Sequence, residues 1–363
     1  MPGVADSMSK LGVSKFDGSS IDIGKPYQDI PTLGLEGHRN NSKMRANRIM
    51  ELVDVTGKTL LDLGCNVGSI SGELARNGAK VTGIDHDADS IAVAASLYQD
   101  ITFKVATIDL DFIKNLPRFN IIVWTSQFNW LAKQKGLDHA LDCLWEIGKH
   151  CDTLVFETAG KGDGSAPLDI AQEGIFELLA KNSIFREIRN TGQWNDTWFP
   201  RDVFVLSKPL VTHLGFHSIV IPGVRGQIYK AFAHTDYALE LKARTAMFLR
   251  ALGGSVFPHL VKEDEISITM EWCGPRAVFI SNLDVSNLST TLKINGITHR
   301  DITPDNVVFN GRNAILLDPA YACYDGEITR VSHDLGGKFK CPHGFNDEYS
   351  LQKTQEYLLR NGR

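Results

Sequence analysis

The sequence predicts an α/β unit built on a parallel sheet, followed by a smaller α+β unit, and three observations carry that reading. Short apolar strands alternate with helical patterns from Asn40 to about Lys208. The string LLDLGCNVGS, Leu60 to Ser69, runs a strand into a glycine turn, and a carboxylate, Asp85, ends the next strand. After Pro209 the texture changes to short alternating runs around one long helix.

Taken in order, residues 1–35 are rich in Gly, Ser, Asp and Pro and read as a flexible arm able to fold over a ligand. From Asn40 to Val53, Met44, Ile49, Met50 and Val53 fall at helical spacing. Helices are expected at Ser69 to Asn77, Asp89 to Tyr98 and Leu137 to His150, with strands at Lys80 to Asp85, Ile101 to Val105, Asn120 to Trp124 and Thr153 to Glu157. A helix near Ile170 to Lys181 and strands about Phe185 to Asn190 and Asp202 to Ser207 are expected to close the first domain, 36–208.

The second domain, 209–363, begins with LVTHLG, HSIVI and, after the turn PGVRG, QIYKAF. A helix at Tyr237 to Leu252 and the hairpin-like FPHLVKEDEISITMEWC follow. From Gly274 the chain reads as loop-rich, with NVVF and AILLD as short strands and Glu348 to Arg360 as a helix.

Composition suits two modest cores: 363 residues, 43% apolar and 22% charged. A formal charge of -5 and no basic run interleaved with aromatics disfavour nucleic acid as a partner. The six cysteines form no CxxC pair and read as reduced structural thiols. The polar N-terminus carries no secretion signal, and no apolar run approaches the roughly 20 residues that span a bilayer, so a cytoplasmic protein without a transmembrane segment is expected. Oligomeric state leaves no mark.

Chemistry concentrates in two places. Gly64 and Gly68 flank a turn where missing side chains let backbone amides approach a ligand, and Asp85 is placed to accept both hydroxyls of a ribose. The GxGxxG fingerprint of a dinucleotide site is absent. DLGCNVG, with Asp85 and the strand-end TSQFNWL, resembles the class I S-adenosylmethionine-dependent methyltransferases, whose fold is Rossmann-like, over about residues 40–208. The resemblance implies Asp62, Gly64, Cys65, Asn66 and Gly68 around the methionine moiety, Asp85 on the ribose, Ile108 and Asp109 beside the adenine, and Thr125 near the sulfonium. Methyl transfer needs chiefly alignment of nucleophile, methyl and sulfur. His86 reads as a loop residue or a base, and Trp124, Trp130, Trp194 and Trp198 as core or acceptor-pocket residues. Arg201, in GQWNDTWFPRD, reads as a structural rim residue or a bidentate grip on an anionic acceptor.

THRDITPDNVVFNGRNAILLDP offers Asp301, Asn306 and Asp318 in the order that phosphoryl transfer uses a base and magnesium ligands. The string resembles the protein-kinase-like superfamily over about residues 210–363, which implies a compact bilobal α+β domain binding ATP and Mg2+. By the resemblance Asp301 is the catalytic base, Asn306 and Asp318 are metal ligands, and Lys230 holds the nucleotide phosphates, with Glu240 as its ion-pair partner. Glu271 and Cys273 face adenine through their backbones, and Asp347 braces the catalytic loop. The sequence departs from the pattern in having only Gly215 between the first two strands, Asp318-Pro319-Ala320 at the metal motif, and Thr303 where protein kinases carry lysine. These departures point toward small-molecule phosphotransferases such as aminoglycoside kinases.

The order of domains resembles the bifunctional enzymes that terminate O-antigen polysaccharides by phosphorylating a terminal sugar and methylating the new phosphate. Their C-terminal coiled coil is not among the residues here. The expected acceptor is a glycan or small molecule, with a nucleotide-binding regulator of the methyltransferase as the alternative role for the second domain.

Overall fold

The computed structural model describes residues 28–37, 41–159, 174–194, 201–327, 339, 341–342 and 345–361. The described residues up to Ile175 join Ile188–Pro209 in one compact unit, and Phe176–Glu187 joins the described residues from Leu210 onward in another.

The first unit is built on a seven-stranded sheet: β1 Thr59–Leu63, β2 Lys80–Asp85, β3 Thr102–Val105, β4 Phe119–Thr125, β5 Cys151–Glu157, β6 Phe185–Trp194 and β7 Arg201–Pro209, in the order β3-β2-β1-β4-β5-β7-β6. β1 pairs in parallel with β2 and β4, β2 with β3, and β4 with β5, while β7 runs antiparallel to β5. This is a Rossmann-like α/β sheet. Leu60, Leu61 and Leu63 are fully buried, as central parallel strands covered on both faces require.

Helices α1 Ser42–Leu52, α2 Ser69–Arg76, α3 Ala88–Leu97, α4 Leu110–Lys114, α5 Phe128–Lys135 and α6 Leu137–Ile147 complete this unit. Ala46 and Ile49 of α1 and Ile70 and Leu74 of α2 form one apolar cluster with Leu60, Val81 and Val123. Trp124, Phe128 and Phe156 stack edge to face at 5.4–5.8 Å between centroids. Asp87 caps α3 by accepting from Asp89 N and Ser90 N. The segment before α1 is tied down, with Ile30 buried against Val67 and Val93, and Ser69 Oγ donating to Asp29 O at 2.6 Å.

α7, Ile175–Asn182, differs from expectation in where it belongs. It was expected to close the first unit, yet from Phe176 to Glu187 the chain packs with the second. The reason lies in distant partners: Trp272 Nε1 donates to Ala180 O at 3.0 Å, Arg225 Nη1 to Asn182 Oδ1 at 2.9 Å, and Arg276 N to Arg186 O at 2.8 Å.

The second unit opens with β8 His213–Leu214, β9 Ser218–Pro222 and β10 Gln227–Phe232. Next come α8 Asp236–Leu252, β11 Leu260–Glu263 and β12 Ser267–Glu271, and the five strands make a sheet in the order β11-β12-β10-β9-β8. Thr235 caps α8, and Leu241, Phe248 and Leu249 share a core with Phe257 and Ile268.

The expected loop-rich remainder contains a helix, α9 Asn282–Ile294. Its Asn, Ser and Thr content masks it, but a Ser281–Asp284 capping box starts it and Val285, Leu288 and Leu292 bury one stripe. β13 Ile297–Thr298 pairs β16 Cys323–Tyr324, β14 Val307–Phe309 pairs β15 Ala314–Leu316, and α10 Asp347–Asn361 follows.

Candidate functional sites

In the first unit a cavity of about 680 Å³ opens where β1, β2 and β4 end, lined by Gln28, Arg45, Gly64, Asn66, Asp85 and Thr125 among others. Gly64 has φ +81, and a Cβ there would stand 2.3 Å from the Gln127 side chain, so only glycine leaves this wall open. Asn66 also adopts positive φ, and its N–H donates to Asp85 Oδ2 at 2.8 Å. Asp85 Oδ1 accepts from Asp87 N at 3.0 Å and lies 3.1 Å from Nδ1 of the exposed His86.

Asp62 is buried, and Ser71 Oγ donates to it at 2.6 Å. Burial above all, with the neighbouring Asp85 carboxylate, raises its pKa to about 6 despite that hydrogen bond. A cationic group placed here relieves the penalty. Ile108 and Thr125 line the cavity as expected from the resemblance, and so do Trp124 and Trp130.

Three expected cofactor residues stand elsewhere. Asp109 is the N-cap of α4, accepting from Phe112 N at 2.8 Å, and does not line the cavity. Cys65 is buried, its thiol packed toward Gly83 and its pKa pushed up by burial. Gly68 ends the turn as the N-cap of α2 with φ +74, close to Phe103 and Ala94. Both shape the turn from behind.

Arg45 and Gln28 are among the lining residues that motif reasoning missed. Arg45 shares the buried stripe of α1 with Ser42, Ala46 and Ile49, so a basic residue on an otherwise core-facing stripe was the available signal. Its guanidinium carbon lies 4.5 Å above Trp194, which is core rather than acceptor wall. Trp198 lies outside the described residues.

Arg201 does not project from a loop. It starts β7, is buried, and donates to Glu157 Oε1 at 3.0 Å and Ser126 Oγ at 3.2 Å. Glu157 is fully buried and on Oε2 also accepts from Ser126 Oγ at 2.8 Å, with Arg45 Nη1 3.7 Å from the same oxygen. Arg201 is therefore held in a buried ionic cluster whose cavity-facing members are Arg45 and Ser126.

A class I cofactor needs a cation for its carboxylate, an anion for its ammonium and an acceptor pair for its ribose. Arg45, Asp62 and Asp85 supply these on one cavity. Asn66 Oδ1 and Gln28 Oε1 are buried there without hydrogen-bond partners among the described residues, which is the mark of a surface shaped for a polar ligand. The residues fit S-adenosylmethionine.

In the second unit a cavity of about 240 Å³ runs from Met270–Gly274 to Lys230, Asn306 and Asp318. Lys230 Nζ donates to Asp318 Oδ1 at 2.7 Å. Burial pushes the Asp318 carboxyl up, but the Lys230 ammonium outweighs it and holds the group below its ordinary range. Asn306 Nδ2 donates to Asp301 Oδ2 at 2.9 Å and to Asp301 O at 3.0 Å.

A second layer fixes these groups. Asp347 Oδ2 accepts from His299 N at 2.6 Å and Oδ1 from Arg300 N at 3.3 Å, the bracing position implied for it. His299, fully buried, accepts the Asp301 N–H on Nδ1 at 3.2 Å, which leaves its proton on Nε2, 3.0 Å from Leu317 O. The ring thus ties the loop of Asp301 to the strand end before Asp318. Arg300 and Asp318 hold positive φ, 68° and 54°, a strain concentrated at this site.

Glu240 does not meet Lys230. It is exposed on α8, and Thr245 and Leu249 are the α8 residues that line the cavity. Glu271 and Cys273 do line it, along with Trp272. Between β8 and β9 a tight turn, with Gly215 N donating to Ser218 O at 2.8 Å, stands in place of a glycine-rich loop. Among the described residues no group of three or more His, Cys, Asp or Glu is placed to hold a metal; Asn306 and Asp318 suit magnesium, which usually completes its shell with water and phosphate. No described helix is long and apolar enough to cross a membrane.

A family model described as a methyltransferase domain matches residues 60–148. The ubiquinone biosynthesis O-methyltransferase of Alkalilimnicola ehrlichii is 26% identical over 177 residues, 47% of this chain and 68% of that protein. The mitochondrial one of Rattus norvegicus is 24% identical over 187 residues, 49% of each chain. That of Pseudomonas paraeruginosa reaches 47% identity over 70 residues, 19% of this chain and 25% of that one. Among solved structures, the bifunctional kinase-methyltransferase WbdD is 21% identical with a TM-score of 0.45, covering 84% of this chain and 81% of that one. Residues 60–148 therefore lie in a methyltransferase domain of the S-adenosylmethionine-dependent kind.

Proposed function

We propose that the chain is a bifunctional transferase, in which the second unit phosphorylates a hydroxyl of a glycan or small molecule with ATP and the first methylates the new phosphate. The observation that carries the kinase half is the linked set Lys230–Asp318 at 2.7 Å and Asp301–Asn306 at 2.9 Å, braced by His299 and Asp347. ATP supplies the phosphoryl group, and Mg2+ the charge that Asn306 and Asp318 are suited to hold. Asp301 accepts the acceptor hydroxyl's proton, Lys230 neutralises phosphate charge, and Glu271–Cys273 hold the base.

S-adenosylmethionine supplies an electrophilic methyl group. Asp85 orients its ribose, Arg45 its carboxylate and Asp62 its ammonium, leaving Thr125 and Trp130 toward the acceptor. A phosphate oxygen needs no base to attack, so neither Asp85 nor the neighbouring His86, which share the cavity, is required to take a proton.

One observation favours the alternative, a nucleotide-binding regulator: the exposed Glu240 leaves Lys230 without its expected helix partner. Labelled ATP and labelled S-adenosylmethionine, offered with a pool of glycans and small alcohols, separate the readings. The bifunctional reading expects label from both in one product, and methyl transfer lost in Asp301→Asn without added phosphorylated acceptor. ATP binding with no phosphoryl transfer to any acceptor gives the regulatory reading.

A further inference from the structure

We infer that the acceptor of the second unit carries an anionic group of its own, a carboxylate or a phosphate, bound by Arg186 and Arg276. This rests on the kinase reading and gives it a substrate class. Both arginines line the second unit's cavity, apart from the residues given to the nucleotide, and Arg276 N donates to Arg186 O at 2.8 Å, so their backbones are locked together. Arg276 also bridges Val308 and places Nη1 2.9 Å from Asp305 Oδ1.

The placement separates this pair from the nucleotide's own requirements. Triphosphate charge falls to Lys230 and to metal on Asn306 and Asp318, and adenine to Glu271–Cys273. Asp305 directly precedes Asn306, whose amide holds Asp301 Oδ2 at 2.9 Å. Through Asp305 the pair is tied to the catalytic loop four residues along from Asp301, the base that an acceptor's hydroxyl must reach.

Charge on this wall is unbalanced. Of the residues that line it, Asp305 is the carboxylate facing two guanidiniums, and it is largely exposed. Arg276 Nε is buried without a partner, a donor left unused by Asp305. Burial first, and then repulsion from Arg276, lowers the Arg186 pKa, with Asp305 and Glu187 opposing. Two half-buried guanidiniums kept together at that cost form a fork for a planar or tetrahedral oxyanion.

The test is calorimetry on the full chain saturated with Mg2+ and a non-hydrolysable ATP analogue, so that it does not depend on turnover. The probes are matched sets: glucose, glucuronate and glucose 1-phosphate; glycerol, glycerate and glycerol phosphate. We expect one anionic member of a set to bind roughly tenfold or more tighter than its neutral partner. The carboxylate and phosphate arms show which oxyanion is preferred. Arg186→Gln and Arg276→Ala should erase that preference, and Arg276→Lys restore part of it, with unchanged affinity for the ATP analogue and unchanged melting. Equal binding of neutral and anionic members, no binding by any anionic member, a preference surviving both substitutions, or loss of analogue affinity instead, overturns the inference. An anion preference in a protein that never transfers phosphate sinks the kinase reading and leaves this site standing.

Discussion

Lys230 Nζ stands 2.7 Å from Asp318 Oδ1, and Asp318 takes up that position from a left-handed backbone at φ 54°. The lysine is thus anchored from the metal-motif side rather than from α8. Asp318→Ala should abolish phosphoryl transfer and release Lys230, weakening nucleotide binding as well. Glu240→Ala, an exposed change, should leave ATP turnover within about twofold of the parent. Steady-state kinetics of the two variants decide; a large loss in Glu240→Ala would mean that α8 rotates to engage Lys230 when ATP binds.

Asp301 is buried to within a tenth of its surface and held by Asn306 on one oxygen. Asp301→Asn keeps that shape but removes the proton acceptor, so transfer should slow by a factor on the order of 10²–10⁴ with ATP affinity nearly unchanged. Single-turnover rates beside nucleotide titrations check both halves of the expectation.

What the sequence made legible was local. Strand, glycine turn, helix and the next strand's Asp85 follow one another within a single βαβ unit, so spacing alone placed them. Groups whose meaning depends on remote partners were not legible. α7 was assigned by position, whereas Trp272, 92 residues away, hydrogen-bonds its Ala180. Arg201 read as a loop residue, either salt-bridged at the rim or gripping an acceptor, because its buried partner Glu157, 44 residues earlier, is invisible to spacing. Asp109 sits at its expected place in the chain, but capping α4 commits its carboxylate to Phe112 N.

Asp85 accepts from Asn66 N and Asp87 N while lining the cavity, so it is rigid before any ligand arrives. Asp85→Ala should weaken S-adenosylmethionine binding by about 1.5–3 kcal/mol through lost charge-assisted hydrogen bonds. Calorimetry on parent and variant is the check, and equal affinities would remove Asp85 from the ribose.

Asp62 titrates in a convenient window, because burial, aided by Asp85, raises its carboxyl from 3.8 to about 6. The folded-state value lies above the unfolded one, so this group's contribution to stability is complete below pH 3.8 and is lost as pH rises through about 6. Cofactor binding runs the other way. The ammonium needs the carboxylate charged, so affinity for S-adenosylmethionine should fall as pH drops below about 6, by at most about tenfold per unit. Asp62→Asn should bind more weakly at neutral pH and lose that dependence; a parallel pH profile in the variant would assign the titration elsewhere.

The Glu157 cluster gives a prediction opposite in kind to that for a free rim arginine. Glu157 has no solvent exposure and holds Arg201 at 3.0 Å, with Ser126 donating from a left-handed backbone. Removing Arg201 leaves Glu157 with the more distant Arg45, at 3.7 Å, so the loss approaches but does not exceed the about 3–5 kcal/mol of a broken buried pair. Arg201→Ala should therefore lower the melting temperature of the first unit and, by freeing Ser126 and Arg45 to shift, raise the apparent Kd for S-adenosylmethionine. A double variant, Arg201→Met with Glu157→Leu, removes both charges and should recover much of the lost stability. If Arg201→Ala instead melts like the parent and changes only the Michaelis constant for the acceptor, Arg201 binds substrate directly and the cluster is not what holds this edge of the sheet together.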